Sequence, residues 1–403
     1  EAFGRGISLQ DYNNELIAQA AARSQAQSPG VVLQSDNRAD HREQQRDVMA
    51  DAIMARAGII TQITPEIRKH MGATLLDMAR HLAGGADVYG MSKNAIAQRA
   101  FLSTSDMPLI LENVMNKSLK AGYTETPRTF LDLGTRTSVS DFRAKNTYQV
   151  GDAPSLLPLG EHGEYKSGSL SESKESYKIG TFARKIGFTR QMLINDDLNA
   201  LAMAPRMFGQ AGSRLESDIV WGLLLNWDFQ KGAAASFTMS DGLHLYDAAH
   251  KNLLTGNSGA TSSVLSKTGL SNMRKLGRKM KTLDGNFMNV MWDTLVIPES
   301  LETDADELLA GTILANVTGE VNPFTNKLSY RVEPRLEVVS ATAWYAFTRM
   351  FAAFEYAYLD GEEGMYTEVN THTDIDGLEV KVRKDFGAGF SEYRASAKAT
   401  GAA

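Results

Sequence analysis

The sequence predicts a mixed α+β protein whose elements do not all find cover within one copy of the chain. Three observations carry this. Residues 205–227 set apolar side chains at steps of three and four over about 20 residues, the strongest helix signal present. Residues 151–190 are a long polar stretch with strand-like alternation and no apolar face. The region from 328 onward is mainly strand-forming. At 403 residues the chain has room for two or three domains, or one large one with insertions.

The elements follow in order. LQDYNNELIAQAAAR (9–23) reads as a helix before a Ser-Pro-Gly break at 28–30. A charged helix over 39–58 closes at Gly58. The stretch 64–84 reads as one helix, with Thr64 as N-cap, Pro65 at its first position and Gly84 at its end. Leu75, Met78, Ala79 and Leu82 form its apolar stripe. Two readings fit residues 1–100: loosely tied helices with little shared core, or an arm that packs on a neighbouring subunit. A short helix follows Thr104, Ser105 and Asp106, and strand and loop follow that.

Within 151–190 the segments EYKSGSL and ESYKIGTFARKIGF suggest two long strands joined by a polar turn. Five Lys or Arg and four Glu between 160 and 185 nearly balance, which suits pairing with a like subunit. An isolated hairpin of this kind is marginal in water; a disordered loop is the other reading. Residues 193–202 read as a helix with Asp196 and Asp197 near its start, where the dipole favours them. The long helix begins at Pro205, and Phe208, Ala211, Leu215, Ile219 and Leu223 mark its core face. A helix with a basic face (263–285), a buried strand ended by Pro298 (289–298) and a helix over 299–311 come next. The remainder, including LSYRVEPRLEVV, reads as β.

Composition removes several classes of function. Apolar residues make up 43% and charged residues 22%, which argues against pervasive disorder, collagen or a small disulfide scaffold. There is no cysteine, so disulfides, thiolate nucleophiles, thiolate zinc sites and iron–sulfur clusters are excluded. A net charge of −6 makes tight DNA binding an unexpected role. No signal peptide opens the chain, and the apolar stretch 343–354 is interrupted by Arg349 and too short to span a bilayer.

Catalytic motifs are weak. Ser171-Glu-Ser-Lys174 and Lys267-Thr-Gly269 match two β-lactamase elements, but the first lies in a polar stretch and the Ser-Asp-Asn element is missing. His244, Asp247 and His250 fall within seven residues, a spacing that a structural loop explains better than a metal site. Asp374-Ile-Asp376-Gly377 lacks the remaining ligands of a calcium loop and reads as a turn. No dinucleotide fingerprint, phosphate loop, nucleophile elbow or zinc-protease motif occurs. The cations within 274–281 read as a solvated helix face. We therefore expect no catalytic residue, no metal and no cofactor.

Several segments, in order, resemble the major capsid proteins of tailed phages, in the Mu-like, prohead-protease-associated branch of the Hong Kong 97 fold. They are RAFLSTSDMPLILENVMNKSLKAGY (99–123), GEYKSGSLSESKESYKIGTFARKIGFTRQMLINDDLNAL (163–201), PRMFGQAGSRLESDIVWGLLL (205–225), DGLHLYDAAHKNL (241–253), VIPESLET (296–303), VEPRLEVVSATAWYAF (332–347), FEYAYLDGEEG (354–364) and VRKDFGAGFSEYRASAKATGA (382–402). Residues 1–98 match less well.

The resemblance implies a division of the chain: 1–98 an N-terminal helical arm region, 99–150 N-arm and start of the P-domain, 151–190 the E-loop, 191–240 P-domain with its spine helix, 241–364 A-domain, and 365–403 P-domain return strands and C-terminus. It implies Glu164, Lys166, Glu172, Lys174, Glu175 and Lys178 as E-loop contacts to a neighbour, and Phe208, Leu215, Ile219 and Leu223 as spine-helix core. The implied function is a head subunit, not an enzyme, that self-assembles through pentamers and hexamers into an icosahedral shell around double-stranded DNA. The implied partners are the chain itself, portal, scaffold or decoration proteins, and packaged DNA bound without sequence preference, with no membrane. The implied location is the virion, after assembly in the host bacterial cytoplasm. On the same resemblance Glu1 is expected to mark a maturation cleavage, and the lack of cysteine leaves a shell without disulfides. The alternatives are an encapsulin-like compartment shell, a hydrolase with an unrecognised site, or a decoration or scaffold protein.

Overall fold

The structure is a computed structural model and describes residues 37–82, 90–96, 106–150, 172–196, 202–256, 262–309, 324, 327–370 and 377–401. Helices α1 (Asn37–Arg56), α2 (Pro65–His70) and α3 (Leu75–Leu82) come first, and α4 (Asp106–Glu125) crosses them. Met49, Ile53, Leu75, Met78 and Ala79 share one core with Ile110, Leu111, Val114 and Leu119 of α4. The described helices before residue 83 thus have a core within their own chain. That overturns the reading of loosely tied helices with little shared core.

The single helix expected over 64–84 is two. Thr64 caps α2 as expected, accepting from the Ile67 amide. The chain then breaks after His70 and restarts at Thr74, whose hydroxyl accepts from the Asp77 amide while the Asp77 carboxylate accepts from the Thr74 amide. This reciprocal pair is a second helix start inside the predicted one. The expected helix over 193–202 is also corrected: α5 (Arg190–Ile194) ends early, and Asp196 adopts φ +54°. Its carboxylate accepts from the Leu75 amide at 2.9 Å and pairs with Arg56. The helix-terminus attraction is real, but the helix served is α3. Asp197 lies outside the described residues.

The polar region resolves differently from the expected hairpin. β2 (Lys145–Val150) pairs antiparallel with β3 (Glu172–Tyr177). β4 (Gly180–Thr189) leaves that ribbon and pairs over ten residues with β13 (Gly377–Phe390). The segment ESYKIGTFARKIGF is therefore split between two partners at 178–179. Tyr177 and Ile179 are buried against Ala357 and anchor the crossing. Gly389 permits it, since a Cβ there would overlap the Tyr177 side chain. The first expected arm, 164–170, lies outside the described residues.

The long helix α6 (Ala204–Leu225) carries Pro205 in its first turn and ends at Asn226 in the left-handed conformation. It packs on α4 and β13. A hairpin of β5 (Trp227–Asp228) and β6 (Ala233–Ala234) follows. Two five-stranded sheets organise the rest. In the first, β1 (Thr135–Val139), β11 (Phe354–Leu359), β13 and β12 (Tyr366–Asn370) lie in that order, with β4 on the other side of β13. The second runs β7 (Leu253–Leu254), β14 (Ser396–Ala399), β10 (Trp344–Phe347), β8 (Thr294–Ile297) and β9 (Ser329–Val332). β8 is buried at all four residues, as read from the sequence. Helix α7 (Lys267–Lys279) starts on the Ser266 cap, and α8 (Glu302–Leu309) follows a 3₁₀ turn. The β reading of 328–339 holds only to Val332. Pro334 then starts the short helix α9 (Arg335–Val339), tied by Arg335 to Asp218 and Glu333.

α4 and α6 approach closely at Gly209, where a Cβ would overlap the Leu119 carbonyl oxygen. Gly209→Ala is expected to cost about 2 kcal/mol through forced separation of the helices. A lower urea midpoint at constant m-value is the measurement; an unchanged midpoint would show that the helices can separate freely.

Candidate assembly interface

The structure sorts the predicted site residues into three groups. Glu164 and Lys166 lie outside the described residues. Glu172 lies in β3 opposite Val150. Lys174 and Lys178 are exposed on the same polar segment. Glu175 is a correction. It is buried, and its carboxylate accepts from the Ser240 amide at 3.0 Å and the Ser240 hydroxyl at 2.7 Å. That inward pairing removes it from the outer face offered to a neighbour.

The core face assigned to the long helix is a second correction. Phe208, Leu215, Ile219 and Leu223 are only half-buried, and Ala211 is exposed. The buried face is instead Gly209, Gly212, Ser213, Glu216, Ser217, Val220, Trp221 and Leu224. Val220, Trp221 and Leu224 fill the core, Ile219 and Leu223 pack partly against it, and the half-buried apolar side chains of α6 also border two open grooves. Phe208 and Leu215, with Phe182 and Met365, border one of about 670 Å³. Ile219 and Leu223, with Trp227, Phe237 and Phe390, border another of about 590 Å³. Both grooves adjoin β4, the strand that continues the polar segment.

Beneath this surface lies a cluster that sequence reasoning missed. Glu216 is fully buried and Lys384 nearly so, with Nζ and Oε1 2.6 Å apart. Oε1 also accepts from the Tyr123 hydroxyl at 2.6 Å. Oε2 takes Arg128 at 3.0 Å and the Tyr358 hydroxyl at 3.2 Å. Arg128 bridges on to Glu363, which Arg136 also holds. Burial lowers the Lys384 ammonium below its usual range against the pull of Glu216. Burial and then the Glu216 charge push the Tyr123 hydroxyl far up. Both carboxylate oxygens are occupied by the chain's own donors, an arrangement that locks elements together rather than moving protons to a substrate. One signal was available: Val380, Val382, Lys384 and Phe386 alternate in one phase of β13, and all four are buried.

The histidines serve the fold. His244 Nδ1 lies 3.0 Å from the Phe237 carbonyl. His250 is buried, with Nδ1 3.0 Å from the Leu245 carbonyl and Nε2 2.7 Å from Asp241. Among the described residues no group of three or more His, Asp or Glu could hold a metal ion, and no helix is long and apolar enough to cross a membrane. Ser171, Asp374 and Asp376 lie outside the described residues.

Two outcomes follow. Lys384→Met is expected to lose about 3 kcal/mol, because it leaves the Glu216 charge buried beside fewer partners; chemical denaturation checks it. Burial also raises the Glu175 carboxyl above its ordinary 4.5, although the Ser240 hydrogen bonds pull it down. The unfolded chain therefore releases this proton first. The contribution is full below the ordinary value and is lost as pH rises through the raised one. Glu175→Gln is expected to flatten that part of the stability profile, read as urea midpoints between about pH 4 and pH 7. An identical slope in the variant would assign the dependence elsewhere.

A family model described as phage capsid protein matches residues 172–399, more than half of the chain. That span runs from β3 through the long helix and both sheets. No curated protein matches. Among solved structures the chain is similar to the capsid of Ralstonia phage GP4, at 16% identity over 68% of this chain and 92% of that one, with a TM-score of 0.48. It is similar to the capsid of Myoviridae phage XM1 at 15% identity over 68% and 92%, TM-score 0.43. A virus-like particle from Pyrococcus furiosus matches at 9% identity over 71% and 97%, TM-score 0.41. These likenesses are too distant to carry the assignment, which rests on the family match. The chain belongs to the phage capsid protein family, and its function is that of a structural shell subunit.

Proposed function

We propose that this chain is the major head subunit of a tailed phage, repeated in an icosahedral shell around double-stranded DNA. The family match over 172–399 carries the reading. The half-covered apolar stripe on α6 supports it, because two grooves lined by aromatic and aliphatic side chains are surface suited to burial by another copy. In this reading the E-loop is the polar region as far as Lys178 and reaches over the adjacent subunit, while β4 stays in the first sheet of its own chain. Glu164, Lys166, Glu172, Lys174 and Lys178 make charged contacts there, while Glu175 holds its own chain together. Phe208, Leu215, Ile219 and Leu223, half-buried in their own subunit, receive the neighbour with the side that remains open.

The sheet built on β13, with α6, corresponds to the P-domain, and the sheet built on β10 to the A-domain. The division differs at three points from blocks set in sequence order: β4 and β11 belong with the first sheet and β14 with the second. Residues 37–82 belong to the arm side of the P-domain. Partners beyond the chain itself are portal, scaffold or decoration proteins and packaged DNA. The subunit assembles in the host cytoplasm and resides in the virion. A negative net charge suits a container whose lumen must release DNA.

Negative-stain microscopy of the expressed chain tests this. Shells, or their pentamers and hexamers, are the expected result, and strict monomers across concentration and salt would overturn it. Reversing Lys166, Lys174 and Lys178 together is expected to weaken assembly; full yields of closed particles from that variant would remove the E-loop assignment.

A further inference from the structure

The second sheet carries two oppositely charged helices whose outer faces stay unpaired among the described residues. α7 has the sequence KTGLSNMRKLGRK, with five cations and no anion. Its Leu270 and Met273 face the core, while Arg274, Lys275, Arg278 and Lys279 are exposed. The 3₁₀ turn and α8 read ESL and ETDADELL, with five anions and no cation. Ala305 is buried there, while Glu302, Asp304, Asp306 and Glu307 are exposed. Among the described residues no ion pair engages Lys275, Arg278, Lys279, Glu302, Asp304 or Glu307.

β8 joins the two helices, whose buried residues share one core: Leu270 and Met273 of α7 with Ala305 of α8. Just before β8, the Trp292 indole donates to the Met273 carbonyl on α7 at 2.8 Å. Just after it, Pro298 leads into the turn and α8. The two helices meet opposite edges of the sheet. α7 touches edge strand β7, while Asp306 of α8 accepts from the Tyr330 hydroxyl on the opposite edge strand β9 at 2.5 Å.

We propose that the basic face of α7 docks on the acidic face of α8 in a second copy of this chain. The occupant follows from charge. Two α7 faces repel, and so do two α8 faces, so a two-fold contact that sets either face against itself is disfavoured. Opposite charges at opposite ends of one sheet favour a head-to-tail contact, which repeats around a ring when the rotation closes. The inference rests on the shell reading and names the surfaces by which subunits select their neighbours within a ring.

The test uses three full-length variants: Lys275→Glu/Arg278→Glu/Lys279→Glu, Glu302→Lys/Asp304→Lys/Glu307→Lys, and all six together. All six positions are exposed, and circular dichroism melting confirms that each variant folds. Either single-face reversal is expected to lower the assembled fraction, read by sedimentation, about tenfold at low salt, and the six-fold swap is expected to restore most of it. Wild-type assembly is expected to weaken as salt rises. If the wild type forms rings or shells and the single-face variants match it, or the six-fold swap is not restored, this inference falls and the capsid reading stands. If the wild type forms neither, the capsid reading itself fails, and this inference with it. If α7 serves DNA instead, a short duplex binds the wild type and not the α7 variant while assembly is unchanged, which also overturns it.

Discussion

The structure depends on one buried ion pair. Glu216 on α6 and Lys384 on β13 meet where α4, β11 and the 360–364 turn also converge, and every element at that point contributes a group. Tyr123 comes from α4, Tyr358 from β11, Arg128 from the segment before β1, and Glu363 from the turn. Such a pair contributes little net stability over an apolar alternative, but it penalises every arrangement in which one member is missing. It therefore acts as a registration pin. The long helix cannot rotate or slide along the sheet without stranding a carboxylate in the core.

That pin explains the unusual partition of α6. Its polar Glu216 faces inward, and the small residues Gly209, Gly212, Ser213 and Ser217 share that face, letting the helix seat tightly on α4 and the first sheet. Val220, Trp221 and Leu224 fill the core, while Phe208, Leu215, Ile219 and Leu223 stay half-buried along the grooves. For a protein that works alone this would waste hydrophobic area. For a repeating subunit it moves part of the core to the boundary between copies, where burial accompanies assembly.

Much of the secondary structure was legible in the sequence, because local signals govern element starts: Pro205 for α6, Thr64 for α2 and the apolar run of β8. Three things were not. Hydrophobic periodicity located α6 but found only the half-buried edge of its core face, since glycine and serine in a tight helix crossing are buried without an apolar signature. Strand pairing in the polar segment was misread because β4 finds its partner some 200 residues away, which no local alternation encodes. The helix break at 71–74 was hidden because apolar spacing continues across it, while the Thr74–Asp77 pair reads as ordinary helix sequence. Among the residues expected to meet a neighbour, Lys174 and Lys178 are exposed, whereas Glu175 is buried on Ser240, a partner distant in sequence. Lys384 was detectable only as a lysine in phase with valines and a phenylalanine.

The second sheet has one further consequence. Its strand β14, at residues 396–399, sits between β7 and β10. During synthesis the ribosome therefore delivers β7, β8, β9 and β10 well before the strand that joins β7 to the others. Until then the facing edge of β10 stays unpaired, an edge that would recruit stray strands if it persisted. A half-made subunit thus lacks a closed second sheet. Translation order leaves the central seam of that sheet for last, so only a chain made as far as residue 399 can close it.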